Sequence, residues 1–446
     1  MGQQKRDFVS VDDLSNAEIL ALFEVADRFE ADLRGHVGLC PGSILATLFF
    51  EASTRTRLSF ESAMLRLGGG VISASEGQST SAAKGESLAD TVRVVGGRYA
   101  DIVVLRHPAE GAARVAARYA AVPVINAGDG AHEHPTQTLC DLYTLWRQKG
   151  NLHGLEVLLA GDLKYSRTIH SLAFALARFG SNLVLRPFPG LEIPDSVLVR
   201  LERDFSVDVR RARVGEIKGL GAGKDAIYIT PHRPHQNTFF TDIDDEELDR
   251  IDAIYMTRLQ RERLEGGEDP TSCDRYPSLD PAQFQGKRFK DTGIMHPLPR
   301  VDEISYDFDS DPRALYFRQA ALGVPIRMAL LAFLLGRIEV AAPPPEADVE
   351  REIYRSKVGL RCRNLRCVTN SPTERYVVPE FIELRLAPPL LRCVFCDHEV
   401  EPTLIGHSES RRLHRSNAAE AQRIGSARRV YFEDEAQASA AGFGNP

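Results

Sequence analysis

The chain has 446 residues, enough for about three domains, and its 43% hydrophobic and 26% charged residues are the ordinary mix of a soluble globular protein. A net charge of -7 and a pI near 6.0 exclude a global attraction to nucleic acid or to an anionic membrane, so an anionic ligand has to be met by a local basic cluster. The first thirty residues show no apolar signal-peptide core, and the most apolar late run, Met328 to Leu335, is too short to span a bilayer, so the expectation is a cytoplasmic protein.

In chain order, residues 11 to 34 read as an opening helix, with Asp12 or Ser15 as cap and Ile19, Leu22, Phe23 and Ala26 on one face. Ile44 to Phe50 is apolar and short, as a buried parallel strand should be. The chain then turns polar at Glu51 to Arg57, and Phe60, Ala63, Met64 and Leu67 follow at helical spacing until Gly68-Gly69-Gly70 ends the helix. The polar stretch therefore sits at a strand-to-helix junction. There the first helical N–H groups lack partners and the helix dipole favours an anion. Three hydroxyls and two guanidinium groups add donors suited to a phosphate. The alternative is a capped helix with a solvated basic first turn, but two cations there oppose the dipole unless an anion is bound.

The alternation continues with a helix near Glu86 to Val95, a strand from Asp101 to Leu105, a helix near Gly111 to Tyr119, a strand from Val122 to Asn126 and a helix from Pro135 to Arg147. It resumes with strands Leu155 to Ala160, Asn182 to Leu185, Ala226 to Thr230, Ile251 to Met256 and Thr292 to Met295, a helix from Ser166 to Phe179, and a long late helical segment from Pro312 to Ile338. This order predicts an α/β protein with two doubly wound parallel-sheet domains, residues 1–148 and 149–317. A Pro-rich linker over 341–357, a small β-rich cysteine-bearing domain over 358–405 and a largely disordered tail over 406–446 complete the expected layout. A glycine-rich run, Gly219 to Asp225, lacks the spacing and the Ser or Thr of a phosphate loop and is rejected as one.

In open α/β sheets ligands bind beyond the carboxyl ends of the strands. Polar or basic groups recur there: Arg106-His107, His134, then Asp162, Lys164 and Arg167, then Arg258 and Gln260, and His296 to Arg300. Singly each is a loop residue. Together they predict a cationic, hydrogen-bonding lining suited to a reaction between two anions.

Seven segments, Phe49 to Arg57, Lys84-Gly85-Glu86, Arg106-His107-Pro108, His134-Pro135-Thr136-Gln137, Gly161 to Arg167, Met256 to Gln260 and His296 to Arg300, follow one another in a familiar order. Over roughly residues 7 to 340 the chain resembles the transcarbamylase family, and within it the aspartate carbamoyltransferase catalytic chain. The ornithine-specific relatives usually carry a cysteine at the position of Pro297. The resemblance implies transfer of a carbamoyl group from carbamoyl phosphate to L-aspartate in pyrimidine synthesis, without an organic cofactor.

It also implies roles. Ser53, Thr54, Arg55 and Thr56 hold the phosphate, and Arg106 bridges phosphate and carbonyl. Thr56, Arg106 and His134 donate to the carbamoyl oxygen, and Gln137 with the Leu298 carbonyl orients the carbamoyl amide. Arg167 takes the α-carboxylate of aspartate, Arg258 and Gln260 the β-carboxylate. Ser81 and Lys84 reach a neighbouring subunit, making the active unit a homotrimer. Glu51 is expected to pair with Arg167 or Arg263, and the Leu298-Pro299 bond to be cis. The late helix, about 318–340, is expected to return to the first domain. Residues 213–251 fit the family pattern poorly and receive no role.

Cys362 and Cys367 are separated by four residues, Cys393 and Cys396 by two, with twenty-five between the pairs. Four thiolates on two knuckles predict a closed structural zinc site, a staple that so small a unit needs. The spacing resembles the zinc domain of the aspartate carbamoyltransferase regulatory chain, which implies contact with catalytic chains and a route to joining trimers in pairs. The linker leaves no room for a nucleotide-binding domain. Two other functions stay open on sequence: a catalytically silent scaffold, and nucleic-acid binding through Arg361, Arg363 and Arg366 beside the first knuckle.

Overall fold

The computed structural model describes residues 5–75, 85–212, 223–230, 251–258, 279–286, 289–301, 303–345 and 352–444. Its contacts divide the chain into two units: residues 1–45, 54–71 and 133–344 form one, and 46–53, 72–132 and 345–446 the other.

In the first unit, Ser15 accepts from the Glu18 N–H and Glu18 from the Ser15 N–H, both at 3.0 Å, a capping box that opens α1 (Asn16–Ala31). The expected helix from residue 11 is therefore shorter. Ser10 caps a separate 3-10 turn, Val11–Asp13, so two successive caps interrupt one apolar run. After β1 (Ile44–Phe49), α2 (Thr54–Arg66) buries Thr56, Phe60, Ala63 and Met64, the face read from its spacing.

The second sheet holds β5 (Glu156–Gly161), β6 (Asn182–Pro187), β7 (Val209–Arg211), β8 (Ala226–Thr230), β9 (Ala253–Met256) and β10 (Gly293–Met295) in the order β10-β9-β8-β5-β6-β7. Every pairing is parallel. Leu158, Val184, Ile227, Ile229, Ile254 and Met256 lie in one apolar cluster, which is why these strands read as continuous apolar runs. Three helices of the same unit are α5 (Pro135–Lys149), α6 (Arg167–Arg178) and α7 (Asp195–Asp204). The late helix α8 (Tyr316–Leu334) packs on α1, α2 and α5. Its 19 residues are long and apolar enough to cross a membrane, but 67% of the apolar window is buried within the protein, as for a core helix.

In the second unit, the first sheet runs β2-β1-β3-β4, with β2 (Gly70–Ser75), β3 (Ile102–His107) and β4 (Val124–Asp129). Val103 pairs with Val124 in parallel register, and α3 (Leu88–Val94) and α4 (Ala112–Tyr119) belong to the same unit. The strand β2 went unpredicted because three glycines hide its start.

Beyond residue 352 the chain is antiparallel. β11 (Ile353–Arg355), β12 (Glu380–Leu386), β13 (Pro389–Cys393) and β14 (Glu399–Val400) pair in sequence order. The expected linker over 341–357 is thus too long, since β11 already pairs with β12.

The expected disordered tail is folded as well. β15 (Leu404–His407), β16 (Leu413–Arg415) and β17 (Arg429–Phe432) form a sheet ordered β16-β15-β17, with two short helices, α9 (Ala419–Gln422) and α10 (Glu435–Ala440). Leu404, Leu413, Phe432, Ala438 and Phe443 make its small core. Strands of three or four residues place one or two apolar side chains each on the core, too few to show in a segment rich in Arg, Glu and Ser.

Candidate active site and metal centre

Thr54, Arg55 and Thr56 occupy the first turn of α2, where backbone N–H groups have no intrahelical acceptor. Thr56 is buried, whereas Thr54 and Arg55 are exposed and Ser53 immediately precedes the helix. Partial burial, and after it the Arg258 guanidinium, lower the pKa of Arg55. Two like charges held near each other favour an anion between them. Arg258 follows β9, at the carboxyl end of its strand, as its place in the sequence predicted.

In the second unit, Arg106 is buried at the end of β3. It donates from Nη1 to the Ala127 carbonyl at 3.2 Å and from Nη2 to Glu51. Its buried Nε–H has no hydrogen-bond partner, a donor held without an acceptor at the mouth of a strand. Glu51 thus forms an ion pair with Arg106. Arg263 and the side chain of Arg167, its expected partners, lie outside the described residues, as do Ser81, Lys84 and Gln260. His107, counted with the lining on sequence, uses its Nδ1 to accept from the Ala109 N–H at 3.0 Å, closing a turn, and burial lowers its pKa.

His134 caps α5 ahead of Pro135 at the first helical position. Its carbonyl accepts the Gln137 N–H at 2.9 Å, and its Nδ1 lies 3.3 Å from the Thr136 hydroxyl. Arg167 opens α6.

After β10, the Leu298 N–H donates to His296 Nδ1 at 2.8 Å, so the proton sits on Nε2, which donates to Glu303 at 2.8 Å. Burial lowers the His296 pKa, in keeping with a neutral ring that shapes the loop. Leu298 adopts φ 51° and the Leu298-Pro299 bond is cis. Arg300, counted among the lining cations on sequence, is instead neutralised by Asp309 through a two-armed pair at 2.5 and 2.6 Å.

The four cysteine sulfurs lie within 4.8 Å of one another, with Cys362 to Cys396 at 3.5 Å and Cys367 to Cys393 at 3.9 Å. A tetrahedral zinc with bonds of about 2.3 Å needs sulfur edges of about 3.8 Å. The donor set fits. The Thr369 hydroxyl donates to Cys367 Sγ at 3.2 Å, the kind of outer contact that orients a thiolate ligand.

Sequence reasoning missed what holds this knuckle in place. Asp397 accepts from Arg114 at 2.9 and 2.8 Å and lies 2.9 Å from His132 Nε2, while His132 Nδ1 lies 3.0 Å from Asp129. Burial opposes charge on His132, but Asp129 and then Asp397 outweigh it and hold its pKa well above the ordinary value. Burial likewise raises Asp397, and Arg114 and His132 reverse that to leave it well below. No local pattern joins residues 265 apart in sequence.

Comparison with known proteins supplies the family. The carbamoyl phosphate-binding domain of aspartate/ornithine carbamoyltransferase matches residues 6–147, and the aspartate/ornithine-binding domain residues 224–334. The metal-binding domain of the aspartate carbamoyltransferase regulatory chain matches residues 352–405. The aspartate carbamoyltransferase catalytic subunit of Thermococcus onnurineus is 46% identical over 336 residues, 75% of this chain and 98% of the relative. That of Clostridium perfringens is 44% identical over 73% of this chain and 96% of its own length. Among solved structures, the M. jannaschii catalytic subunit aligns with a TM-score of 0.60 and 41% identity, covering 74% of this chain and 98% of that one. The Trypanosoma cruzi aspartate transcarbamoylase in complex with carbamoyl aspartate and phosphate aligns at 0.58 and 35%, covering 74% and 95%. The chain belongs to the aspartate/ornithine carbamoyltransferase family, as an aspartate carbamoyltransferase catalytic chain continuous with a regulatory-chain metal-binding domain.

Proposed function

We propose that this enzyme transfers the carbamoyl group of carbamoyl phosphate to the amine of L-aspartate, giving N-carbamoyl-L-aspartate and phosphate for pyrimidine synthesis. The observation that carries the reading is the first turn of α2, where Thr54, Arg55 and Thr56 meet unpaired helical N–H groups and Arg55 feels the charge of Arg258. Ser53, Thr54, Arg55 and Thr56 hold the phosphate. Arg106, Thr56 and His134 donate to the carbamoyl oxygen as charge grows on it, and Gln137 and the Leu298 carbonyl accept from the carbamoyl amide. The aspartate amine attacks unprotonated, the carbon–nitrogen bond forms, the carbon–oxygen bond to phosphate breaks, and the departing phosphate takes the proton that the nitrogen releases. Positioning and electrostatics supply the catalysis. Arg167 binds the α-carboxylate, and Arg258 with Gln260 the β-carboxylate.

Ser81 and Lys84 complete a neighbouring subunit's site, which makes the working unit a homotrimer in the cytoplasm. Cys362, Cys367, Cys393 and Cys396 hold a structural zinc that stabilises the knuckle fold and takes no part in the reaction. The zinc-bearing domain also offers a surface through which two trimers join.

The test is turnover of carbamoyl phosphate by the purified protein with aspartate and ornithine in parallel, beside Arg258→Ala. Activity with aspartate alone that Arg258→Ala lowers at least a hundredfold supports the assignment. Activity with ornithine, or none with either amine, overturns it.

A further inference from the structure

Gln137 and the loop of Leu298, both assigned above to the carbamoyl amide, are tied to one buried carboxylate that lies outside every motif. Asp141 sits one turn after Gln137 on α5 and is 1% exposed. Its Oδ1 accepts from Gln137 Nε2 and from Gln319 Nε2, each at 2.8 Å, and its Oδ2 accepts from the Tyr255 hydroxyl at 3.0 Å. Gln319 is fixed from its other end, because its Oε1 accepts from the His296 N–H at 2.9 Å and a backbone donor cannot reverse its role. The Gln319 amide must therefore turn its NH2 toward Asp141. His296 in turn accepts the Leu298 N–H, so α5, α8, β9 and the loop after β10 converge on a single carboxylate.

We propose that Asp141 is a positioning residue that sets which end of the Gln137 amide faces the substrate. An ionised carboxylate only accepts hydrogen bonds. Gln137 must then give its NH2 to Asp141 and present its Oε1 outward, as an acceptor for the carbamoyl NH2. A side chain without an acceptor at that position releases the Gln137 amide, which can then turn its NH2 outward, and donor meets donor at the substrate. The assignment rests on the reading of Gln137 as a carbamoyl-amide ligand.

Burial pushes the Asp141 pKa up to about 7 against the hydrogen bonds from Gln137, Gln319 and Tyr255 and the charge of Arg327 on α8. A proton taken up there goes to Oδ2, whose partner, the Tyr255 hydroxyl, can turn to accept it, so Oδ1 keeps both glutamine donors and the orientation of Gln137 survives protonation.

The test measures kcat and KM together with calorimetric affinity for carbamoyl phosphate and for inorganic phosphate. Asp141→Leu, which offers no acceptor, should bind inorganic phosphate within twofold of wild type and carbamoyl phosphate at least tenfold more weakly. Asp141→Asn, whose oxygen still accepts from both glutamines while its NH2 meets the Tyr255 hydroxyl, should bind carbamoyl phosphate within threefold of wild type. Wild-type affinity for carbamoyl phosphate in Asp141→Leu overturns the proposal, as does a tenfold loss in Asp141→Asn, which settles the matter where Asp141→Leu fails to fold. A wild-type protein inert toward both substrates overturns the parent assignment and this one with it.

Discussion

Arg114 on α4 and Asp397, the residue after the last of the four clustered cysteines, form a two-armed ion pair at 2.9 and 2.8 Å. Arg114 also donates to the carbonyls of Val394 and Phe395, at 2.8 and 3.3 Å. One guanidinium thus reads the shape of the second knuckle as well as its charge. Gly111 completes the contact with φ +84°, and a Cβ there would fall 2.6 Å from the Phe395 backbone.

Removing one partner of this pair leaves the other partly buried with its charge only partly compensated. Asp397→Ala is expected to destabilise the second unit by about 2–4 kcal/mol. Both side chains keep some solvent contact, 23% each, so the lower half of that range is favoured. Chemical denaturation followed by protection of the α4 amides checks this, and a change below about 0.5 kcal/mol would remove the pair from the account.

His132 gives the same contact a pH dependence. Its pKa is raised in the folded protein, so its contribution is complete below about pH 6.5, the unfolded value, and is lost as the pH climbs through the higher folded value. The melting-temperature difference between wild type and His132→Gln should therefore be largest near pH 6 and shrink toward alkaline pH. A constant difference from pH 5 to 9 contradicts the assignment.

A metal site that staples a small core should be felt throughout the surrounding strands. Stripping zinc with a chelator, or Cys367→Ser, is expected to abolish amide protection in β12 and β13 while leaving β5 and β8 of the first unit protected. Metal analysis of the untreated protein should return about one zinc per chain. Protection unchanged after full metal loss would mean that the strands hold themselves.

The C-terminal sheet is fastened through Glu383, which accepts from Arg429 Nη1 at 3.0 Å and from the Tyr431 hydroxyl at 2.7 Å. The Leu360 N–H adds a bond to the Tyr431 carbonyl at 2.9 Å. Glu383→Ala takes one acceptor from the Arg429 guanidinium, which keeps the Ile424 and Gln422 carbonyls, and the acceptor of the buried Tyr431 phenol, at a cost of about 1–3 kcal/mol. Limited proteolysis should then release a fragment cut within 406–444 that the wild-type protein resists.

The alternation of strands and helices through residue 340 was legible because parallel strands buried on both faces must be apolar without interruption, and their helices must carry an apolar stripe. Arg55, Arg106, His134 and Arg258 were legible for a related reason. Each stands at or just beyond the carboxyl end of a strand or at a helix start, where open sheets place ligands. The cysteine spacing fixed a metal centre by itself, since four thiolates on two knuckles have few other uses.

Tertiary structure decided what depends on partners distant in sequence. Arg300 reads along the chain as one more lining cation, yet Asp309 cancels its charge. Residues 406–444 look unstructured because their short strands depend on pairing with one another and on hydrogen bonds with Glu383, Leu360 and Tyr354 of the preceding domain. Asp141 and Asp397 carry no motif at all. What a carboxylate does is set by the donors that folding brings to it, and neither its neighbours in sequence nor its spacing encodes them.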